Sequence, residues 1–352
     1  MALLPLKIGD IIANIPIIQG GMGVGISLSN LAGAVAAEGG IGVISAAQIG
    51  YGEPGFAANS LKANLEALSK HIALAREKAR GGVIGVNIMS VTRKYEEYVK
   101  CCVENKVDII ISGAGLPLNL PELVKNSATK IAPIVSSVKA AMVLLKLWNK
   151  RYNATADAVV IEGPKAGGHL GFKLEQLAEY ENGKDYDEEI TGILSYIETQ
   201  EDMFDRKIPV VFGGGVFTAS DIRHYMELGC DGVQIASRFV VTEECDAHPH
   251  FKQAYLDAKR EDIGIVNSPV GMPGRAILNR FAQNHEKRPV KTCYNCMGHC
   301  DHVNIPYCIS QSLIDAVNGD TQDALVFCGE NAYRLNEMTT VKDLMRELTG
   351  SL

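Results

Sequence analysis

The chain has 352 residues, of which 47% are hydrophobic and 21% charged, and carries a formal net charge of -7. This composition excludes a disordered or fibrous chain and supplies ample apolar material for a large core. The acidic balance and the lack of a long basic run argue against a nucleic-acid surface, and no apolar run is long enough to span a bilayer.

The first residues, Met1-Ala2-Leu3-Leu4-Pro5-Leu6-Lys7, lack a charged segment followed by a long apolar one, so no export leader is expected and a cytoplasmic location follows by default. Nine cysteines in a large chain without a leader do not suggest a disulfide framework. Cys101, Cys102, Cys230 and Cys245 fall in helical or strand contexts and are expected to pack as small hydrophobes.

In chain order, eight short Val/Ile-rich runs occupy residues 15–19, 41–45, 83–88, 107–112, 131–135, 156–161, 208–212 and 232–235. Most start about 25 residues apart, as βα units with short loops do. Continuous apolar strands alternating with amphipathic helices predict a parallel sheet covered by helices. Eight units favour a closed (β/α)8 barrel, with an open doubly wound sheet as the alternative. Ser29 or Asn30 is a candidate cap for the first helix, which Gly39-Gly40 stops. Residues 180–206 read as an acidic surface excursion with a helix around 190–199. Thr218-Ala219-Ser220-Asp221 opens the helix after the seventh strand.

Past the eighth strand the βα rhythm ends. Residues 1–242 read as the barrel and 243–352 as a helical lid or substrate region, with helices over 276–284, 310–318 and 340–348. The last of these is a candidate to return to the barrel and close its outer helical ring. Between the lid's helices lies a turn-rich loop, Ser268 to Arg275.

Glycine-rich loops end three of the strands: Gly20-Gly21-Met22-Gly23 after the first, Gly163 to Gly171 after the sixth, and Gly213-Gly214-Gly215 after the seventh. In a barrel, loops after strands gather at one face. The seventh-strand loop and Gln234-Ile235-Ala236-Ser237 after the eighth sit where barrels commonly hold a phosphate on backbone N–H groups. A ligand anchored there would cross the mouth toward Gly21, Met22 and Asn87, whose amide suits the polar edge of a heterocycle. Gly113-Ala114-Gly115, Ser136 and Ser137 end the fourth and fifth strands and are candidates to line the same mouth. His169, on the sixth-strand loop, is the candidate proton-handling group, because imidazole titrates nearest neutrality. The bland alternatives are tight turns for the glycines and a structural loop histidine.

The sequence resembles the FMN-dependent nitronate monooxygenase family, once called 2-nitropropane dioxygenases, and the related flavin-containing type II enoyl-acyl-carrier-protein reductases. Residues 16–23, 85–89, 162–171, 213–215 and 231–239 carry the likeness, in order and spacing, over residues 14 to about 285. The resemblance implies a barrel that holds FMN beneath a helical substrate domain. It assigns the FMN phosphate to Gly214, Gly215, Ala236 and Ser237, and the flavin ring and ribityl chain to Gly21, Met22, Asn87, Glu162 and Gly168, with Gln234 beside them. His169 becomes the active-site acid or base. Where relatives often have Gly-Thr, this chain has Ala236-Ser237, which keeps a hydroxyl but adds a methyl at the phosphate.

The leading expectation is oxidation of alkyl nitronates with oxygen, or NAD(P)H-dependent flavin reduction. An NAD(P)H-dependent enoyl-acyl-carrier-protein reductase is the alternative, and a flavin-binding sensor without turnover is the alternative of another class. A phosphate-sugar isomerase barrel shares the phosphate loops but leaves the first- and sixth-strand motifs unexplained. An acidic carrier protein calls for a basic rim, for which Lys252, Lys259, Arg260, Arg275 and Arg280 are candidates. The expected partner is a small molecule, nitronate or enoyl thioester, with no nucleic acid or membrane, and the sequence leaves a homodimer open.

Cys293, Cys296, Cys300 and Cys308 form C-x2-C-x3-C-x7-C, with His299 and His302 interspersed and Cys328 downstream. Thiolates so spaced suit zinc or an iron–sulfur cluster. The alternative, a reduced cysteine cluster packing the lid, is preferred, and no metal ligand is assigned.

Overall fold

The structure, a computed structural model, describes residues 3–284, 288, 290, 292–298 and 300–350. Its first half runs β1 (Leu6–Ile8), β2 (Ile11–Ala13), β3 (Ile17–Gln19), α1 (Ser29–Ala37), β4 (Ile41–Ser45), α2 (Ser60–Lys78), β5 (Val83–Met89), α3 (Tyr95–Glu104), β6 (Ile109–Gly113), α4 (Leu120–Leu123), β7 (Lys130–Val135) and α5 (Val138–Tyr152). There follow β8 (Val159–Glu162), β9 (Gly168–His169), α6 (Leu174–Glu181), α7 (Asp187–Phe204), β10 (Val210–Gly213), α8 (Ala219–Glu227), β11 (Gly232–Ile235), α9 (Ser237–Val240), α10 (Pro249–Asp257), β12 (Ile263–Asn267), β13 (Pro273–Ile277), α11 (Arg280–Gln283), α12 (Ile309–Val317) and α13 (Val341–Thr349).

Strands β3, β4, β5, β6, β7, β8, β10 and β11 pair in parallel and close into a barrel, the eighth back onto the first through Val233 beside Ile17. These are the eight runs expected from the sequence, and the protein is a (β/α)8 barrel. Side-chain alternation divides each strand between two cores. Ile18, Val43, Ile109, Ile111 and Val160 fill the barrel interior, while Ile17, Ile44, Ile110, Val159 and Ile161 face the helices. With both faces buried, the strands read as unbroken apolar runs. Helix α1 lies so close to β4 that a Cβ on Gly42 would sit 1.8 Å from the Ala32 carbonyl oxygen.

The hairpin β1–β2 plugs the barrel's N-terminal end. Leu6, Ile8 and Ala13 join the interior core, and Asp10 in its turn pairs with Lys130, the first residue of β7, at 2.6 Å.

Several local expectations are corrected. The acidic stretch before β10 is no surface excursion: α7 runs from Asp187 to Phe204, and its buried Ile190, Ile193 and Ile197 make it a barrel helix packed on α5. Neither Ser29 nor Asn30 caps α1. The cap arrives from far along the chain, where the Asp246 carboxylate accepts from the N–H groups of Leu28 (2.8 Å), Leu31 (3.2 Å) and Asn30 (3.3 Å). Residues 276–284 are not one helix, because β13 takes their start and only the single turn α11 follows. Thr218 does cap α8, accepting from Asp221 N while Asp221 accepts from Thr218 N.

The chain after residue 242 adds more than helices. β12 and β13 form a hairpin whose second strand pairs with β9, so residues from the tail extend the backbone of the sixth-strand loop. Residues 326–328 lie along β13's other edge through Ile277 N to Val326 O and Cys328 N to Arg275 O. Finally α13 packs on α1 and α8, tied by Arg238 to Glu347 and by Val341 N to Glu244. No described helix is long and apolar enough to cross a membrane.

Candidate active site

A cavity of about 280 Å³ opens at the C-terminal ends of the barrel strands. All eleven candidate residues line it: His169, Gly21, Met22, Asn87, Glu162, Gly168, Gly214, Gly215, Gln234, Ala236 and Ser237. Of the further candidates, Gly113 and Ala114 reach it, whereas Ser137 instead caps α5 through Ala140 N and the Ser136 hydroxyl donates to Gly171 O. His71, His224, His248, His250 and His302 do not line it.

Backbone conformation accounts for the glycines of the seventh-strand loop. Gly214 and Gly215 have φ of +124° and +91°, a region closed to most side chains, and a Cβ on Gly214 would come within 2.8 Å of Gly163 O. Across the mouth, a Cβ on Gly21 would lie 2.4 Å from the Asn87 Cβ. The result is bare backbone at one end and an amide packed on bare backbone at the other. Among the described residues, the side chains of Asn87 and Gln234 hydrogen-bond to no protein group, which leaves their donors and acceptors for a ligand.

His169 is held by the tail. Its Nε2 lies 2.8 Å from Ser268 Oγ, and its ring meets Phe327 edge-on with centroids 5.0 Å apart. Burial brings its pKa down to about 4, so the ring is neutral at neutral pH. Arg275, 2% exposed, fixes the same loop from behind. It donates to the carbonyls of Pro164 (2.7 Å) and Ala166 (3.0 Å) and pairs with Glu181 and Glu330. Glu162, at the end of β8, accepts from Gly171 N at 2.8 Å. Burial nevertheless pushes its carboxyl up to about 7, an effect that the Gly171 bond only partly offsets. The site thus places an uncharged imidazole and a carboxyl that titrates near neutrality on the wall of one cavity.

Sequence reasoning missed most of the tail's share. Ser268, Tyr255, Phe327 and Asn331 all touch or line the site, as does Lys165 of the sixth-strand loop, and Asn331 Nδ2 donates to Gly215 O. The turn-rich loop at 268–275 was the available signal for Ser268, and nothing in the sequence pointed to 327 or 331.

Three of the five candidates for a basic rim are engaged within the protein. Arg275 is committed to the histidine loop, Lys252 is buried and donates to the carbonyls of Thr242 and Glu243, and Arg280 pairs with Asp323. Among the described residues no three Cys, His, Asp or Glu side chains gather as a metal ion would require, and His299 lies outside those residues. Cys296 lines the cavity, Cys293 is exposed, and Cys101, Cys102, Cys230 and Cys245 are buried free thiols.

A barrel whose strand-end loops bring bare glycine backbone and a half-buried histidine into one cavity defines an enzyme of the ligand-at-the-C-terminal-face type. The chain belongs to the nitronate monooxygenase family, whose model matches residues 6–351, and is an oxidoreductase. It is 24% identical to a probable nitronate monooxygenase of Bacillus subtilis (strain 168), an alignment spanning 95% of this chain and 94% of the relative. The structure of FabK from Thermotoga maritima superposes with a TM-score of 0.69 at 25% identity, covering 95% of this chain and 91% of that one. A nitroalkane oxidase from Streptomyces ansochromogenes shares the fold with a TM-score of 0.71 at 19% identity, over 96% and 95% of the two chains.

Proposed function

We propose that the protein is an FMN-dependent oxidoreductase that oxidises alkyl nitronates with oxygen. The observation that carries this reading is the single cavity joining His169 to the bare backbone of Gly214 and Gly215. The residues present fit FMN. Gly214, Gly215, Ala236 and Ser237 offer backbone and a hydroxyl for its phosphate. Gly21, Met22, Asn87, Glu162, Gly168 and Gln234 would flank ring and ribityl chain, and a Cβ on Gly168 would meet no protein atom within 4 Å, so that wall is open to a ligand. The chemistry FMN supplies when bound is electron transfer from substrate to oxygen.

The protein's own groups handle charge and protons. A neutral His169 can accept a proton from a nitroalkane carbon or donate a hydrogen bond to a nitronate already formed, without first losing a proton to solvent. Ser268 holds Nε2, and among the described residues Nδ1 has no hydrogen-bond partner, which leaves it for substrate. Phe327, in the segment 326–328 that runs along β13, covers one side of the ring. The nitronate reading is preferred over the carrier-protein reading because Arg275 and Lys252, two of the five candidate rim cations, are buried.

The test is a flavin spectrum of the purified protein, then turnover on propyl nitronate with oxygen beside NADH or NADPH with quinones and with a crotonyl thioester. Nitronate turnover is expected to lead the panel. His169→Ala should keep FMN and lose about 100-fold or more in rate, the usual scale of acid–base catalysis. Wild-type turnover in that variant removes the imidazole from the mechanism, and a colourless protein that takes up no FMN refutes the reading entirely.

A further inference from the structure

A second cavity, of about 310 Å³, adjoins the first, and Gln48 and Cys296 stand on the walls of both. Its only charged lining residues among those described are Arg93 and Lys94, and no Asp or Glu lines it. Neither cation forms an ion pair within the described residues. Arg93 reaches only the Asn295 amide oxygen, at 3.5 Å. In a chain with a net charge of -7, an unpaired cationic pair in a concave site is a specific placement.

One helix aims its positive end at the same place. Asn59, Ser60 and Leu61 on its wall are the cap and first turn of α2, a 19-residue helix with no acid in its first turn. Asn59 satisfies Lys62 N, but the N–H groups of Ser60 and Leu61 donate to no protein group among the described residues. Lys94 flanks the N-terminus of α3, whose first-turn acids, Glu96 and Glu97, do not line the cavity. The independent pointer to a ligand is Gln48, 6% exposed. Its Oε1 accepts from Asn64 Nδ2 at 2.7 Å, whereas its Nε2 is buried with no partner at all. A buried orphan donor is costly unless a bound group satisfies it.

We propose that the second cavity is a subsite for a phosphate oxyanion on a ligand whose other end lies in the main cavity. Arg93 and Lys94 supply charge, and the α2 N-terminus supplies backbone donors, as helix ends do for phosphates. Gln48, on the shared wall, marks where the ligand passes from one cavity to the other. Two classes of oxidoreductase ligand carry such a group, a pyridine dinucleotide and a thioester of phosphopantetheine. The inference rests on the oxidoreductase reading for what the ligand's other end does, while the anion site stands on its own lining.

The experiment is calorimetric titration of flavin-loaded protein with inorganic pyrophosphate, NADPH, crotonyl-coenzyme A and crotonyl-pantetheine, the last lacking phosphate. The same series is run on the double variant R93Q/K94Q, whose flavin content and circular dichroism check that it folds. Pyrophosphate should bind, and the double variant should weaken it by about tenfold or more, as loss of charge-assisted contacts does. A matching loss for NADPH alone assigns the dinucleotide. A loss for crotonyl-coenzyme A that crotonyl-pantetheine does not share assigns the thioester. Absence of pyrophosphate binding up to the millimolar range, or equal affinity in the double variant, overturns the subsite. A yellow protein that binds no pyrophosphate refutes this inference and spares the flavin reading, whereas a colourless protein refutes the flavin reading, and pyrophosphate binding that R93Q/K94Q weakens in it spares this inference.

Discussion

The two ends of the barrel are built from the same eight strands and are filled in opposite ways. At the N-terminal end the interior is closed by Leu6, Ile8 and Ala13 of the β1–β2 hairpin packed on Ile18, Ile41, Val83 and Ile109, all buried. At the C-terminal end the same strands run out into Gly21, Gly213, Gly214 and Gly215, and the space that side chains would fill is a cavity. Stability is concentrated where volume is filled, and binding is concentrated where volume is withheld. The comparison implies that substitutions at the two ends separate in what they damage.

Emptying the closed end should give the largest effect on stability. Ile8 is fully buried, and Ile8→Ala should lower unfolding free energy by about 2–5 kcal/mol, the cost of a truncated core side chain and its cavity. Denaturant unfolding measures the loss, while flavin affinity in the folded protein should be unchanged. A variant that loses flavin affinity as much as stability would mean that the plug and the cavity are one unit.

Filling the open end should do the converse on a smaller scale. Gly21→Ala sets a methyl 2.4 Å from the Asn87 Cβ, so Asn87 must shift from its place on the cavity wall. Overpacking of this kind costs about 1–3 kcal/mol, and the displaced amide should weaken flavin binding by roughly tenfold. Fluorescence titration of the apoprotein with FMN reads the second quantity, and an unchanged dissociation constant would remove Asn87 from the ligand's surroundings.

This contrast also explains how much the sequence disclosed. The eight strands were legible because each is buried on both faces and so reads as an apolar run, and the glycine loops were legible because positive φ and close approach demand glycine there. Asp246 capping α1, Ser268 on His169 and Arg275 behind its loop were not legible, since each acts on a partner at least 99 residues away. The strand β13 was read as the end of a turn-rich loop and the start of a helix because Pro273 to Ile277 is short and its partners lie in β9 and β12 rather than in a neighbouring repeat. Tail residues 327 and 331 carry no local pattern, because they are recruited by the fold they cover.

The finest test of the open end is its proton balance. Glu162 has a folded pKa of about 7, raised by burial from an ordinary 4.5. Between those values the folded state holds a proton that the unfolded state has lost, so this group makes stability fall as pH rises from about 4.5 to about 7. His169 has a folded pKa of about 4, lowered by burial from 6.5. Between those values the unfolded state holds the extra proton, so this group makes stability fall as pH drops from about 6.5 to about 4. The windows overlap and the slopes oppose, so the flavin-free wild type should show only a shallow dependence from pH 4.5 to 6.5. Glu162→Gln should expose the rising slope of the histidine, and His169→Ala the falling slope of the carboxyl, in urea midpoints measured across that range. The same imidazole should leave kcat/KM without an acid limb near 6.5, because the neutral form persists down to about pH 4. An inflection near 6.5 that vanishes in His169→Ala would show that the ring is solvated in the working enzyme, and the tail segment at 326–328 would then not be the cover it is here.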